Sequence, residues 1–217
     1  MKFHTSILFD LDGTISDPRE GIVRCFQYAL AKLGHPMPRE EQLLCYIGPP
    51  LYESFATLLN SNDEALVGRA VELYRERFVV KGMFENSVYP EITELLARLR
   101  ANDHQLYIVT TKPTIFARKI LEHFGLAAHF LNTYGSEFDG TRADKCDLIA
   151  HVLEKEDIDP SSAVMIGDRE HDIKGALANG VFPIGVLWGY GSRRDLINAG
   201  ATILCETPRS LVAHFQK

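Results

Sequence analysis

The chain has 217 residues, 46% of them hydrophobic and 24% charged, with a formal net charge of −6. Such a composition supports a sizeable core and suits one large α/β domain or one domain carrying a smaller insert. The acidic balance argues against a general nucleic-acid binder, which presents a basic face, and no apolar run approaches the roughly 20 residues that span a bilayer. The N-terminus lacks the apolar run of a signal peptide. The cysteines Cys25, Cys45, Cys146 and Cys205 form no CxxC pair, so reduced thiols in a cytoplasmic protein are expected rather than a zinc site or a disulfide framework.

In chain order, Ile7 to Leu11 is a short apolar run of strand length, interrupted by Asp10 and followed by Asp12. Carboxylates at the end of a buried strand are costly unless paired or bound to metal. The next stretch reads as helical: Gly21 to Leu33, Glu40 to Tyr46, Leu51 to Leu59 and Asn62 to Val80, with Gly34, Pro36 and Gly48-Pro49-Pro50 as breaks. With no β-rich run in it, this stretch is expected to form a separate helical subdomain over residues 16–86.

Beyond Tyr89-Pro90 the pattern alternates. Helices are expected at Glu91 to Arg100, Pro113 to Phe124, Asp144 to Glu154, Asp172 to Ala178 and Arg193 to Asn198, with a last one at the C-terminus. Strands are expected at Gln105 to Thr110, Phe130 to Thr133, Ala163 to Ile166, Val181 to Leu187 and Thr202 to Leu204. Pro183 and Gly185 put the penultimate strand near a sheet edge. Alternation of this kind predicts a doubly wound, mostly parallel Rossmann-like sheet, built from residues 1–15 and 87–217. Ligands of such sheets sit at the carboxyl ends of the strands.

Four polar clusters fall at or near those ends: Asp10-Leu11-Asp12-Gly13-Thr14, Thr110-Thr111-Lys112, Lys145 opening its helix, and Gly167-Asp168 with Asp172. Taken singly, each has a plain structural reading. Asp10 and Asp12 suit a turn, Thr110 and Thr111 a strand end, Lys145 a solvated helix, and Asp168 and Asp172 a helix cap and first turn. Together they suit attack on a phosphate monoester. Two like charges about 4 Å apart repel by about 4 kcal/mol at an effective dielectric near 20. A divalent cation on Asp10, Asp12 and Asp168, with an ammonium from Lys112 or Lys145, reverses that sign. The histidines show no metal-like spacing; His171, between Asp168 and Asp172, is the one placed to matter.

The motifs DLDGT (Asp10 to Thr14), IVTTKP (Ile108 to Pro113), Lys145 in DGTRADK, and GDREHD (Gly167 to Asp172) stand in order along the chain. The sequence resembles the haloacid dehalogenase-like hydrolases, in the phosphoglycolate phosphatase-like branch with a helical cap inserted after the first strand. The resemblance covers essentially the whole chain. It implies a Mg²⁺-dependent phosphatase acting on a small phosphorylated metabolite, with no nucleic-acid or membrane partner. Asp10 is then the nucleophile and Asp12 the general acid and base. The phosphate is bound by Thr110, Thr111 and Lys145. Metal contacts come from the carboxylates of Asp10 and Asp168, the backbone carbonyl of Asp12, and Asp172 as ligand or orienter. Family members usually have Asn where this chain has Thr111. Ile47 to Leu51 resembles the cap's specificity loop, and Trp188 to Ser192 the glycine-rich loop after the last core strands.

Phosphoglycolate is the first expected substrate and a 5′-nucleotide the second. A phosphomutase and a phosphate-binding regulatory protein are the rivals, and a dehalogenase is disfavoured by Asp12. The sequence sets no oligomeric state.

Overall fold

The computed structural model describes residues 5–215; His4 lies outside them. In chain order β1 (Ser6–Phe9) and β2 (Ser16–Asp17) precede α1 (Arg19–Lys32), α2 (Glu40–Leu43), α3 (Leu51–Leu59), α4 (Glu64–Arg77) and β3 (Ser87–Val88). There follow α5 (Ile92–Ala101), β4 (Gln105–Pro113), α6 (Thr114–His123), β5 (Asn132–Ser136) and α7 (Lys145–Lys155). The chain ends through β6 (Ala163–Gly167), α8 (Glu170–Ala178), β7 (Phe182–Val186), α9 (Arg193–Asn198), β8 (Ile203–Cys205) and α10 (Pro208–Val212).

Two compact units result, one of Met1–Ser16 and Val88–Lys217, the other of Asp17–Ser87. The first holds a six-stranded sheet in the order β5-β4-β1-β6-β7-β8. Every pairing in it is parallel. Parallel strands with helices on both faces read as continuous apolar runs, and β1 and β6 are buried throughout. Leu8, Tyr107, Val109 and Met165 meet Leu148, Ile149 and Val152 of α7 in one core cluster.

The strand order fixes the site. After β1 the sheet grows to one side through β4 and β5, then returns to the other side of β1 through β6, β7 and β8. The crevice at such a reversal, at the carboxyl ends of the strands, is where these sheets bind ligands.

The second unit is helical. Phe26 of α1 packs against Tyr46, Phe55 of α3 and Tyr74 of α4, with ring centroids 5.0–5.9 Å apart. No helix among the described residues is long and apolar enough to cross a membrane.

Several boundaries differ from the sequence pattern for local reasons. β1 stops at Phe9, not Leu11, because the amides of Thr14, Ile15 and Ser16 all turn back onto the carbonyl of Leu11. The helix expected to reach Val80 changes at Phe78 into a wide π turn, Phe78–Gly82, where the Met83 amide reaches back to the Phe78 carbonyl. β4 runs on to Pro113 because the register with β5 slips between Val109 and Pro113. Pro183 lies in β7, which is second from the edge beside the three-residue β8.

Candidate active site

The sheet reversal brings the expected residues together. Asp10 leaves the end of β1 with its amide bonded to the Ile166 carbonyl of β6 at 2.9 Å. Asp168 follows β6 directly, and Asp172 is in the first turn of α8. The carboxylates of Asp10, Asp168 and Asp172 offer oxygens that all lie within 4.8 Å of one another, and all three residues are buried. Lys145 reaches them from the first position of α7, which Asp144 caps by accepting from the amides of Cys146 and Asp147. Its Nζ lies 2.8 Å from Asp10 Oδ1 and 2.7 Å from Asp172 Oδ1, and donates to the Val109 carbonyl at 2.8 Å. The Asp172 contact is an ion pair by distance but lacks hydrogen-bond alignment. Lys145 is only 2% exposed, which rules out a solvated helix lysine.

The electrostatics follow from burial. Loss of water, then the neighbouring Asp172 and Asp12, push Asp10 above the ordinary carboxylate range, with Lys145 opposing. Burial also works against an ionised Asp172, but Lys145, His171 and the Arg169 amide outweigh it and hold Asp172 below that range. Burial opposes the charged form of Lys145 in turn, yet Asp10 and then Asp172 keep its ammonium above the usual lysine range. Asp168 is shifted the other way from Asp172: burial, then Asp10 and Asp172, push it up to about 8 against the pull of the Tyr190 amide and of Arg169.

Asp168 sits in a seat made of main chain. Its Oδ2 accepts from the Tyr190 amide at 2.7 Å and its Oδ1 faces Thr14 Oγ1 at 3.4 Å. Trp188 Nε1 donates to the Thr14 carbonyl at 3.0 Å and ties the two loops together. The approach needs glycine on both sides. A Cβ on Gly13, whose φ is +85°, would lie 2.3 Å from Asp168 Oδ2, and one on Gly191 would lie 1.8 Å from the Asp168 carbonyl oxygen. Thr14 belongs to the first polar cluster and Tyr190 to the glycine-rich stretch, but sequence alone gives neither a role beside Asp168. The glycines of the Trp188 to Ser192 stretch were the available signal, since they mark a close backbone approach.

Asp12 stands apart from the three-carboxylate group. Its carboxylate faces Lys112, with Oδ2 2.6 Å from Nζ, so the choice between Lys112 and Lys145 resolves into one lysine for each aspartate. Thr110 is buried, and its Oγ1 accepts the Lys112 amide at 3.3 Å. The Thr111 carbonyl accepts from Ser136 Oγ at 2.7 Å.

The donor set fits a divalent cation. Three buried carboxylates face one buried ammonium, an excess of two negative charges when all are ionised. Carboxylate oxygens are the hard donors that Mg²⁺ takes.

Residues 7–186 match the model of the haloacid dehalogenase-like hydrolases. The chain belongs to that family. A 5′-nucleotidase from Pseudomonas aeruginosa is 50% identical over 193 residues, 89% of this chain and 87% of its own length. The tyrosine-protein kinase PtkA of Mycobacterium tuberculosis is 39% identical over 90% of this chain, which spans 66% of that relative. A phosphoglycolate phosphatase from Vibrio parahaemolyticus is 29% identical, over 85% of this chain and 84% of the relative. A solved structure described as a predicted phosphatase from Clostridium acetobutylicum superposes with a TM-score of 0.92 at 40% identity, covering 98% of each chain. With these relatives, this family member is a phosphatase.

Proposed function

We propose that this phosphatase hydrolyses a small phosphomonoester, with nucleoside 5′-monophosphates as the substrate class, through an aspartyl-phosphate on Asp10. The observation that carries the mechanism is the buried Asp10 carboxylate, held 2.8 Å from Lys145 Nζ beside the buried carboxyl groups of Asp168 and Asp172.

Asp10 attacks phosphorus while Asp12 gives a proton to the leaving oxygen. Asp12 then takes a proton from the water that opens the aspartyl-phosphate. Lys145, the Thr110 hydroxyl and the backbone amides at Asp12 and Thr111 balance the charge of the phosphoryl oxygens. The Asp10 and Asp168 carboxylates and the Asp12 carbonyl would hold Mg²⁺, which would supply Lewis-acid stabilisation of that charge. Asp172, ion-paired to Lys145 and bonded to the Arg169 amide at 3.0 Å, orients the lysine. The helical unit holds the sequence position of the family's cap, and the reaction takes place in the cytoplasm.

The substrate class rests on identity. The nucleotidase relative is 50% identical and the phosphoglycolate phosphatase 29%, which reverses the order expected from the motifs alone. A kcat/KM screen of nucleoside 5′-monophosphates, phosphoglycolate and sugar phosphates, read as free phosphate, tests it. A phosphoglycolate preference above that for every nucleotide overturns the substrate reading. Phosphorylated product without free phosphate makes the chain a mutase. Asp10→Asn should abolish turnover with the fold retained, and a near wild-type rate in that variant overturns the covalent mechanism.

A further inference from the structure

The two oxygens of Asp12 have unlike surroundings. Oδ2 lies 2.6 Å from Lys112 Nζ, with the side chains only 13% and 8% exposed. Oδ1 is buried and accepts no hydrogen bond. A buried acceptor left without a donor is destabilising, and such atoms persist where function uses them. Lys112 lies where the register of β4 slips against β5, between Val109 and Pro113, and its amide bonds to Thr110 Oγ1 at 3.3 Å. Irregularities of this kind re-aim side chains beside active sites.

We infer that Lys112 is a positioning residue that grips Asp12 Oδ2 and thereby leaves Oδ1 as the oxygen that exchanges the catalytic proton. The inference rests on the reading of Asp12 as general acid and base given above. In the first half-reaction the Asp10–phosphorus bond forms, the bond from phosphorus to the leaving oxygen breaks, and the proton on Oδ1 passes to that oxygen. In the second, the oxygen of water bonds to phosphorus, the Asp10–phosphorus bond breaks, and the water proton returns to Oδ1. Asp12 lies on a loop between β1 and β2, so without the ion pair its carboxylate rotates away from the reacting oxygen. Misplacement of a reacting group by about 1 Å costs on the order of 100-fold.

The test compares kcat/KM for phenyl phosphate and 4-nitrophenyl phosphate, substrates of similar shape. That parameter reports the steps up to aspartyl-phosphate formation. 4-Nitrophenolate leaves without a proton, whereas phenolate needs one. Lys112→Met should lower kcat/KM for phenyl phosphate about 10- to 100-fold and for 4-nitrophenyl phosphate by less than about 3-fold. Lys112→Arg, which keeps the ion pair, should recover most of the loss. Equal losses on both substrates, or none on either, overturn the inference. If Lys112→Met does not fold, Lys112→Gln is read by the same ratio. Asp12→Asn separates the two levels of argument. A leaving-group dependence in Asp12→Asn alone removes the role of Lys112 and keeps that of Asp12, and its absence there removes both.

Discussion

Lys145 Nζ lies 2.8 Å from Asp10 Oδ1 across 135 residues of sequence. The lysine opens α7 and the aspartate directly follows β1, so the ion pair exists only when the parallel sheet and its covering helix are assembled. The same ammonium meets Asp172 at 2.7 Å and the Val109 carbonyl at 2.8 Å. Its charge is therefore shared between Asp10 and Asp172 of α8.

Replacing Lys145 with Gln should remove that charge and leave Asp10 and Asp172 facing each other. Breaking a buried ion pair by deleting one partner costs about 3–5 kcal/mol. Lys145→Gln should then lower the thermal midpoint by several degrees and turnover by at least about 100-fold. Thermal melts and kcat on one phosphomonoester check both. Wild-type stability in this variant would mean that the carboxylates are not ionised together.

Much of this site could be read from the sequence, because its residues sit where short apolar runs end, and a parallel sheet brings such ends to one rim. Asp10 and Asp168 meet for that reason, while Lys145 and Asp172 arrive on the first turns of α7 and α8. The pairing of Asp12 with Lys112 could not be read, since the register of β4 against β5 is irregular across the stretch that carries Lys112. The seat of Asp168 was hidden for another reason. Its hydrogen bond comes from the main chain of Tyr190, and a backbone amide has no residue code. The helix ends also resisted, because the π turn after α4 is stabilised by tertiary packing rather than by a breaker such as Pro or Asn.

Metal removal should change stability in a pH-dependent way. Without a cation, burial and the neighbouring carboxylates hold Asp168 near 8, against 3.8 for an ordinary aspartate. The folded protein then keeps a proton that the unfolded chain has lost, so metal-free stability falls as pH rises between those values. On the proposed reading, bound Mg²⁺ would take the place of that proton. In EDTA the thermal midpoint should drop on the order of ten degrees from about pH 5 to pH 8, and the gain on adding Mg²⁺ should grow over the same window. A metal-induced shift that is constant with pH would contradict the assignment of Asp168 as a ligand.

The helical unit has an electrostatic clasp of its own. Glu85 takes two bonds from Arg77, at 2.6 and 2.9 Å, and one from Arg24 at 2.9 Å, while its carbonyl accepts from the Gly21 amide at 2.9 Å. The bidentate Arg77 bond is the largest influence on Glu85 and holds its carboxyl below the usual range, with burial opposing. Glu85→Gln keeps the shape and removes the charge, and should cost about 1–2 kcal/mol. The sign with pH follows from the lowered value. The contribution of Glu85 is complete above its unfolded pKa, near 4.5, and is lost as pH falls through the lower folded value. The stability gap between wild type and Glu85→Gln, measured by urea unfolding, should therefore be constant from about pH 6 to pH 8 and close as the solution is taken below about pH 4. A gap that persists in acid would assign the loss to altered packing around α1 and α4 rather than to the ion pair.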